Sequence, residues 1–220
     1  MTKSTIKTIS AQYLIHLGIS ADLLTLAGLL FSLLAAMLIA QGHWFAAGGT
    51  LLFSGLLDML DGAVARASGT ESKFGGILDS SLDRYGDGFI FGGIILFYAN
   101  LYRWEYLLLA LSALLGSFGI SYVRARAECE TPNCRVGFWE RGERLVFISL
   151  ALCVKNLESA LWVLGIGTHW TILQRLLFAQ HQIKKNKTWS KLLGSQPIRR
   201  GAVYYFKITA LILLLFFWRC

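Results

Sequence analysis

Residues 58–83 read DMLDGAVARASGTESKFGGILDSSLD, with an apolar run on either side. Asp58 and Asp61 stand three apart at the end of the first run, and Asp79 and Asp83 four apart at the start of the second. Spacings of three and four put each pair on one face of a helix. The link between them, with Gly62, Arg66, Gly69, Ser72, Lys73 and Gly75, is polar and short enough to bring both faces together. Four carboxylates beside long apolar helices repel one another and are costly to remove from water unless something neutralises them. Mg²⁺ or Mn²⁺ suits that task, because hard cations prefer carboxylate oxygen, keep part of their water and bind phosphate at the same time. Two such ions balance four Asp charges and can clamp a diphosphate. Acids lining an ion pathway, or acids satisfied by the nearby basic residues, are the alternatives.

Outward from this stretch the chain is too apolar for one soluble core. Of 220 residues, 55% are apolar and 15% charged, with two prolines, against about 45–50% and about 25% in ordinary domains. Mean hydropathy is +0.54. Disorder, collagen-like repeats and a secreted disulfide scaffold are excluded, since four Cys accompany 7 Trp, 8 Tyr and 14 Phe. A crossing needs roughly 20 mainly apolar residues. Segments 23–41, 45–66, 76–99, 105–127, 142–157 and 159–182 qualify, the fifth being short, so the expected fold is an all-α polytopic membrane protein of six transmembrane helices. Met1–Ile19 lacks a compact apolar core followed by a cleavage site. Ile6, Ile9, Tyr13 and Leu17 instead make it an amphipathic helix lying on the membrane surface.

The net charge of +8 fits orientation in an anionic membrane better than nucleic acid, because the basic residues lie between apolar spans and form no continuous stripe. With the N-terminus inside, 17 of the 21 Lys and Arg fall on the inner side and only Arg103 and Lys155 on the outer. Lys207 interrupts and Arg219 follows a further apolar stretch, 202–218, which reads equally as a seventh crossing or an interfacial segment. The expected division is a membrane domain over 1–183 and a basic tail over 184–220. Trp44, Trp104, Trp162 and Trp170 lie near outer ends, where aromatic belts form. Cys129 and Cys134 lack two further ligands at zinc spacing. His16, His43, His169 and His181 form no metal-binding pair, and no phosphate-binding loop or nucleophile elbow is present.

The run from Asp58 to Asp83 matches the signature D-x2-D-G-x2-A-R-x8-G-x3-D-x3-D throughout, and so resembles the CDP-alcohol phosphotransferases, membrane enzymes that join a CDP-linked lipid to an alcohol and release CMP. The resemblance extends over roughly residues 1–183. It implies that Asp58, Asp61 and Asp79 ligate a pair of divalent ions, with Asp83 at the second ion and serving as general base. It implies a CDP-lipid site at Gly62, Ala65, Arg66, Ser72 and Gly75. It also implies residence in the cytoplasmic membrane, with the active site facing the cytoplasm, and a homodimer. Asp87 extends the acid face by a turn outside the signature. Gly88, Gly92 and Gly93 would admit a close helix, either in a dimer seam or within one subunit.

Arginine forks suit a phosphate monoester, and Arg124, Arg141, Arg144 and Arg175 fall at the membrane depth of the acids. The acceptor alcohol is therefore expected to carry a phosphate. Ser121-Tyr-Val-Arg124, Glu140-Arg141-Gly-Glu143-Arg144-Leu and Gln174-Arg175 are similar to the branch that makes phosphatidylinositol phosphate from CDP-diacylglycerol and inositol phosphate. That likeness assigns the acceptor phosphate to Ser121, Arg124, Arg144 and Arg175, with Arg141 as the alternative to Arg144. Phosphatidylglycerophosphate synthase, a divalent-cation transporter and a prenyl-diphosphate transferase are the competing readings. Two departures from the family pattern stand out: the 184–220 tail, and Ser20-Ala-Asp22 where Thr-Pro-Asn is common.

Overall fold

The computed structural model describes residues 12–16, 18, 20–131, 134 and 136–189. The 202–218 segment and most of the expected surface helix over 1–19 lie outside the described residues. Six long helices follow in order: α1 Ala21–Ala40, α2 Trp44–Ser68, α3 Lys73–Asn100, α4 Trp104–Glu128, α5 Arg141–Cys153 and α6 Leu157–Trp189. Residues 12–16 are also helical, and there is no strand among the described residues.

Each helix starts and stops where the local chemistry demands it. Ser20 caps α1 by accepting from the Leu23 N–H at 3.3 Å, and Ser72 caps α3 by accepting from the Gly75 N–H at 2.8 Å. At α5, Glu140 and Glu143 form a reciprocal capping box, with the Glu140 N–H donating to Glu143 Oε2 at 3.0 Å. The three connections α1–α2, α3–α4 and α5–α6 close alike. Gly42, Tyr102 and Lys155 have φ of 77°, 54° and 57°, and each following N–H reaches back to Leu38, Tyr98 and Ala151 respectively. This C-terminal lock satisfies orphan carbonyls of the last turn. It also ends α5 at Cys153, four residues before the edge expected from apolarity, because the turn through Lys155 needs residues that hydropathy counts as span.

Packing runs α1 against α2 and α3, α2 against α5, α3 against α4, α4 against α6 and α5 against α6. The core joins Ile39, Leu51, Phe91, Ile94, Ile120, Ile148, Leu161 and Leu164. Gly93 belongs to the α1 crossing, since a Cβ there would stand 2.9 Å from Ala36 Cα. The outer surface is as apolar as the core. Leu23, Leu26, Leu30, Leu34 and Met37 form an exposed stripe along α1, which in water would be a severe liability and in hydrocarbon is a lipid-facing wall. Among the described residues, α1 and α4 are long and apolar enough to cross a membrane. The acids of the signature lie on α2 and α3.

Candidate functional site

The α2–α3 hairpin brings the signature acids together as their spacing requires. Asp58, Asp61 and Asp79 each direct an oxygen into one cluster in which those oxygens lie within 4.8 Å of one another. Asp61 is buried and held on both oxygens: Thr25 Oγ1 donates to Oδ2 at 2.8 Å, and the Gly62 N–H donates to Oδ1. Asp79 Oδ1 is buried with no hydrogen-bond partner among the described residues. A lone carboxylate oxygen beside two other carboxylates is an arrangement that protein groups leave unsatisfied and a hard cation completes. The donor set fits such an ion.

Asp83 stands apart from that triad. Its Oδ1 lies 2.6 Å from Arg141 Nη1, which also donates to Asp58 Oδ1 at 2.5 Å, and its Oδ2 is 3.7 Å from Arg84 Nη1. Arg141 thus ties α5 to both α2 and α3.

Beside the triad lies a cavity of about 610 Å³ framed by the start of α1, the end of α2 and the start of α3. Gly62, Ala65, Arg66, Ser72 and Gly75 all line it, together with Asp61 and Asp79. A Cβ on Gly62 would meet the Arg66 guanidinium at 3.4 Å, so the missing side chain lets Arg66 lie along its own helix. The Ser72 hydroxyl is engaged as the cap of α3, and Gly75 and Gly76 of its first turn line the cavity. Ser20, Asp22 and Thr25 line the same cavity, so the α1 start contributes despite its unusual Ser-Ala-Asp.

The four residues expected at an acceptor phosphate, Ser121 and three arginines, each make different contacts. Arg124 pairs with Glu128 at 3.1 Å along α4. Ser121 donates to the Ser117 carbonyl at 3.2 Å. Arg144 is 2% exposed, with Nη2 2.7 Å from Asp87 Oδ2 and Nη1 donating to the Trp139 carbonyl at 3.0 Å. Arg175, 1% exposed, donates from Nε to the Val136 carbonyl at 2.8 Å and from Nη1 to the Ile120 carbonyl at 2.7 Å. From α6, Arg175 thus reaches α4 at Ile120, next to Ser121, and the approach to α5 at Val136.

The approach to α5 holds that neighbourhood in place. Trp139 packs into the space left by the missing side chain of Gly167, and Gly137, at φ 108°, lies against Thr171. Burial pushes the Cys134 thiol up, and its Sγ sits 3.9 Å from the Arg175 carbonyl. Sequence reading did not find Thr25 as the partner of Asp61, nor the Trp139 carbonyl as a partner of Arg144. A threonine one turn into a mainly apolar helix was the available signal for the first. Nothing in the local pattern signals the second.

A match to the CDP-alcohol phosphatidyltransferase family model covers residues 19–173. The chain belongs to that family. Within it, this phosphatidyltransferase is 38% identical over 172 residues to an archaetidylinositol phosphate synthase of Pyrococcus horikoshii, covering 78% of this chain and 89% of that one. Two solved structures of the phosphatidylinositol phosphate synthase of Mycobacterium tuberculosis superimpose with a TM-score of 0.73. One has CDP-DAG bound, is 31% identical and covers 88% of this chain and 100% of its own. The other is in complex with manganese and citrate, is 33% identical and covers 79% and 88%. The family signature runs through the α2–α3 hairpin that carries the triad and lines the cavity.

Proposed function

We propose that this chain transfers the phosphatidyl group of CDP-diacylglycerol to inositol phosphate, giving phosphatidylinositol phosphate and CMP. The observation that carries the reading is the convergence of Asp58, Asp61 and Asp79 at the edge of a cavity lined by the remaining signature residues. The named relatives support the acceptor, since the archaeal and the mycobacterial proteins are both synthases of an inositol phosphate lipid.

In this reading Asp58, Asp61, Asp79 and Asp83 hold two divalent ions, Mg²⁺ or Mn²⁺, which supply positive charge to the diphosphate and to the leaving CMP. Arg66 and the N–H groups at the start of α3 bind the same diphosphate from the cavity side, and Gly62, Ala65 and Gly75 let the nucleotide approach the backbone. Asp83 takes the proton of the attacking hydroxyl on a carboxylate oxygen as the new O–P bond forms at the β-phosphorus and the bond to CMP breaks. An alcohol is unactivated near neutral pH, so a carboxylate within reach of it contributes about 10²–10⁴-fold. Ser121, Arg124, Arg144 and Arg175 hold the acceptor phosphate and point its hydroxyl toward the acids. Burial of Arg144 and Arg175 against fixed carbonyls and Asp87 pre-sets their forks before the acceptor arrives.

Six crossings, an inner-facing active site, a catalytic unit over 1–183 followed by a tail over 184–220, and a homodimer complete the proposal. The concentration of Lys and Arg at the end of the helices that carries the acids supports the orientation. The test is CMP release by the purified protein with CDP-diacylglycerol and Mg²⁺ or Mn²⁺, offering inositol phosphate, inositol, glycerol 3-phosphate or serine in turn. Release with inositol phosphate alone is expected. Release with glycerol 3-phosphate alone would make the chain a phosphatidylglycerophosphate synthase. Absence of metal-dependent release with every acceptor would overturn the phosphatidyl-transfer reading.

A further inference from the structure

Among the described residues, Arg141 is the basic residue that reaches Asp58 and Asp83 from outside the α2–α3 hairpin, and its surroundings are built around it. A single nitrogen, Nη1, bridges Asp58 Oδ1 at 2.5 Å and Asp83 Oδ1 at 2.6 Å. Gly86 lacks a side chain where the other end of the fork lies, for a Cβ there would stand 3.4 Å from Nη2. Arg141 Nε is buried with no hydrogen-bond partner among the described residues, and faces Asp87 Oδ1 at 3.9 Å. The side chain is 18% exposed. Its backbone cannot follow the side chain, because Arg141 is the first residue of α5, pinned by the Glu140–Glu143 capping box.

These contacts give the guanidinium two seats. In the described one it neutralises Asp58 and Asp83; rotated by a short distance, it meets Asp87, whose other oxygen already takes Arg144. From this geometry we infer that Arg141 is the resident counter-ion of the acid cluster, and that a divalent cation must displace it from Asp58 and Asp83 toward Asp87. This rests on the reading of those carboxylates as a metal site. A guanidinium and a divalent ion cannot share the same two oxygens without strong repulsion at contact distance. An empty cluster of like charges, conversely, would strain the α2–α3 hairpin. Arg141 thereby holds the metal-free protein together while weakening metal binding, and it couples metal loading to α5, the helix that carries Arg144.

Mn²⁺ affinity by titration calorimetry and unfolding temperature with and without Mn²⁺ test this, neither requiring turnover. Arg141→Gln should unfold at lower temperature than the parent in chelator, yet bind Mn²⁺ about tenfold or more tightly, the scale on which groups around a metal site move its affinity. Arg141→Lys keeps a charge that can meet Asp58 and Asp83 but loses the rest of the guanidinium, including the Nε that faces Asp87, so it should fall between the two. It also serves if the Gln variant does not fold. Arg126→Gln removes an exposed charge that pairs with Glu130 at 3.2 Å, away from the acids, and should change neither quantity. If the parent binds Mn²⁺ and the Arg141 variants bind it no more tightly, the displacement inference is wrong while the metal reading stands. If the parent binds no Mn²⁺, the metal reading falls and the inference with it.

Discussion

The Asp87–Arg144 pair offers the sharpest test of how charge is used inside this fold. The two side chains meet at 2.7 Å and are 3% and 2% exposed, and Arg144 spends a second donor on the Trp139 carbonyl. Removing one member of such a pair leaves the other charged and buried, at a cost of about 3–5 kcal/mol. At about 2–4 °C per kcal/mol for a chain of this size, Arg144→Met or Asp87→Leu alone should lower the unfolding temperature in detergent by roughly 6–20 °C. Changing both together removes two desolvated charges and restores apolar contact, which is often neutral or stabilising. The double variant should therefore recover most of the loss. Either single variant unfolding within about 2 °C of the parent, or a double variant no more stable than the worse single, would refute this account of the pair. Turnover separates stability from chemistry: the double variant should be well folded yet unable to use inositol phosphate. Recovery of turnover along with stability would take Arg144 out of the acceptor site.

Three further outcomes are expected. Asp83→Asn should lower CMP release by about 10² or more, while CDP-diacylglycerol still raises the unfolding temperature of the variant; near-normal release would remove Asp83 from the base role. Arg175→Ala should raise KM for inositol phosphate and leave KM for CDP-diacylglycerol in place, whereas equal changes in both would mark Arg175 as a brace for the Ile120 and Val136 carbonyls only. Gly93→Ala should destabilise by about 1–3 kcal/mol through overpacking, because its Cβ meets the Ala36 backbone, while Gly92→Ala, with nothing within 4 Å of that position, should not; paired melting curves in one detergent read the difference.

The parts of this protein legible in its sequence are those governed by local periodicity. The six apolar segments become six helices whose ends differ from expectation by a few residues, except at α5 and α6. At α5 the turn through Lys155 claims residues that hydropathy assigned to the helix. At α6 the helix continues past the expected edge at 182 as far as Trp189, through polar residues that apolarity does not register. Asp58, Asp61 and Asp79 converge because spacings of three and four are intrinsic to a helix and a short hairpin does the rest. The arginines follow a different rule. Arg141 and Arg144 lie three apart on the first turn of α5 and share the same chemistry, which makes Arg141 the alternative to Arg144 as a candidate for the acceptor phosphate. What separates them is the rotation of α5 as it packs on α2 and α6, which directs Arg141 onto Asp58 and Asp83 and Arg144 onto Asp87 and the Trp139 carbonyl. That rotation depends on the capping box at Glu140 and on Trp139 docking at Gly167, and it brings Arg141 to Asp58, 83 positions away. A motif can therefore state which residue types meet the substrates, while the tertiary packing of one short helix decides which arginine answers the acids from within the protein.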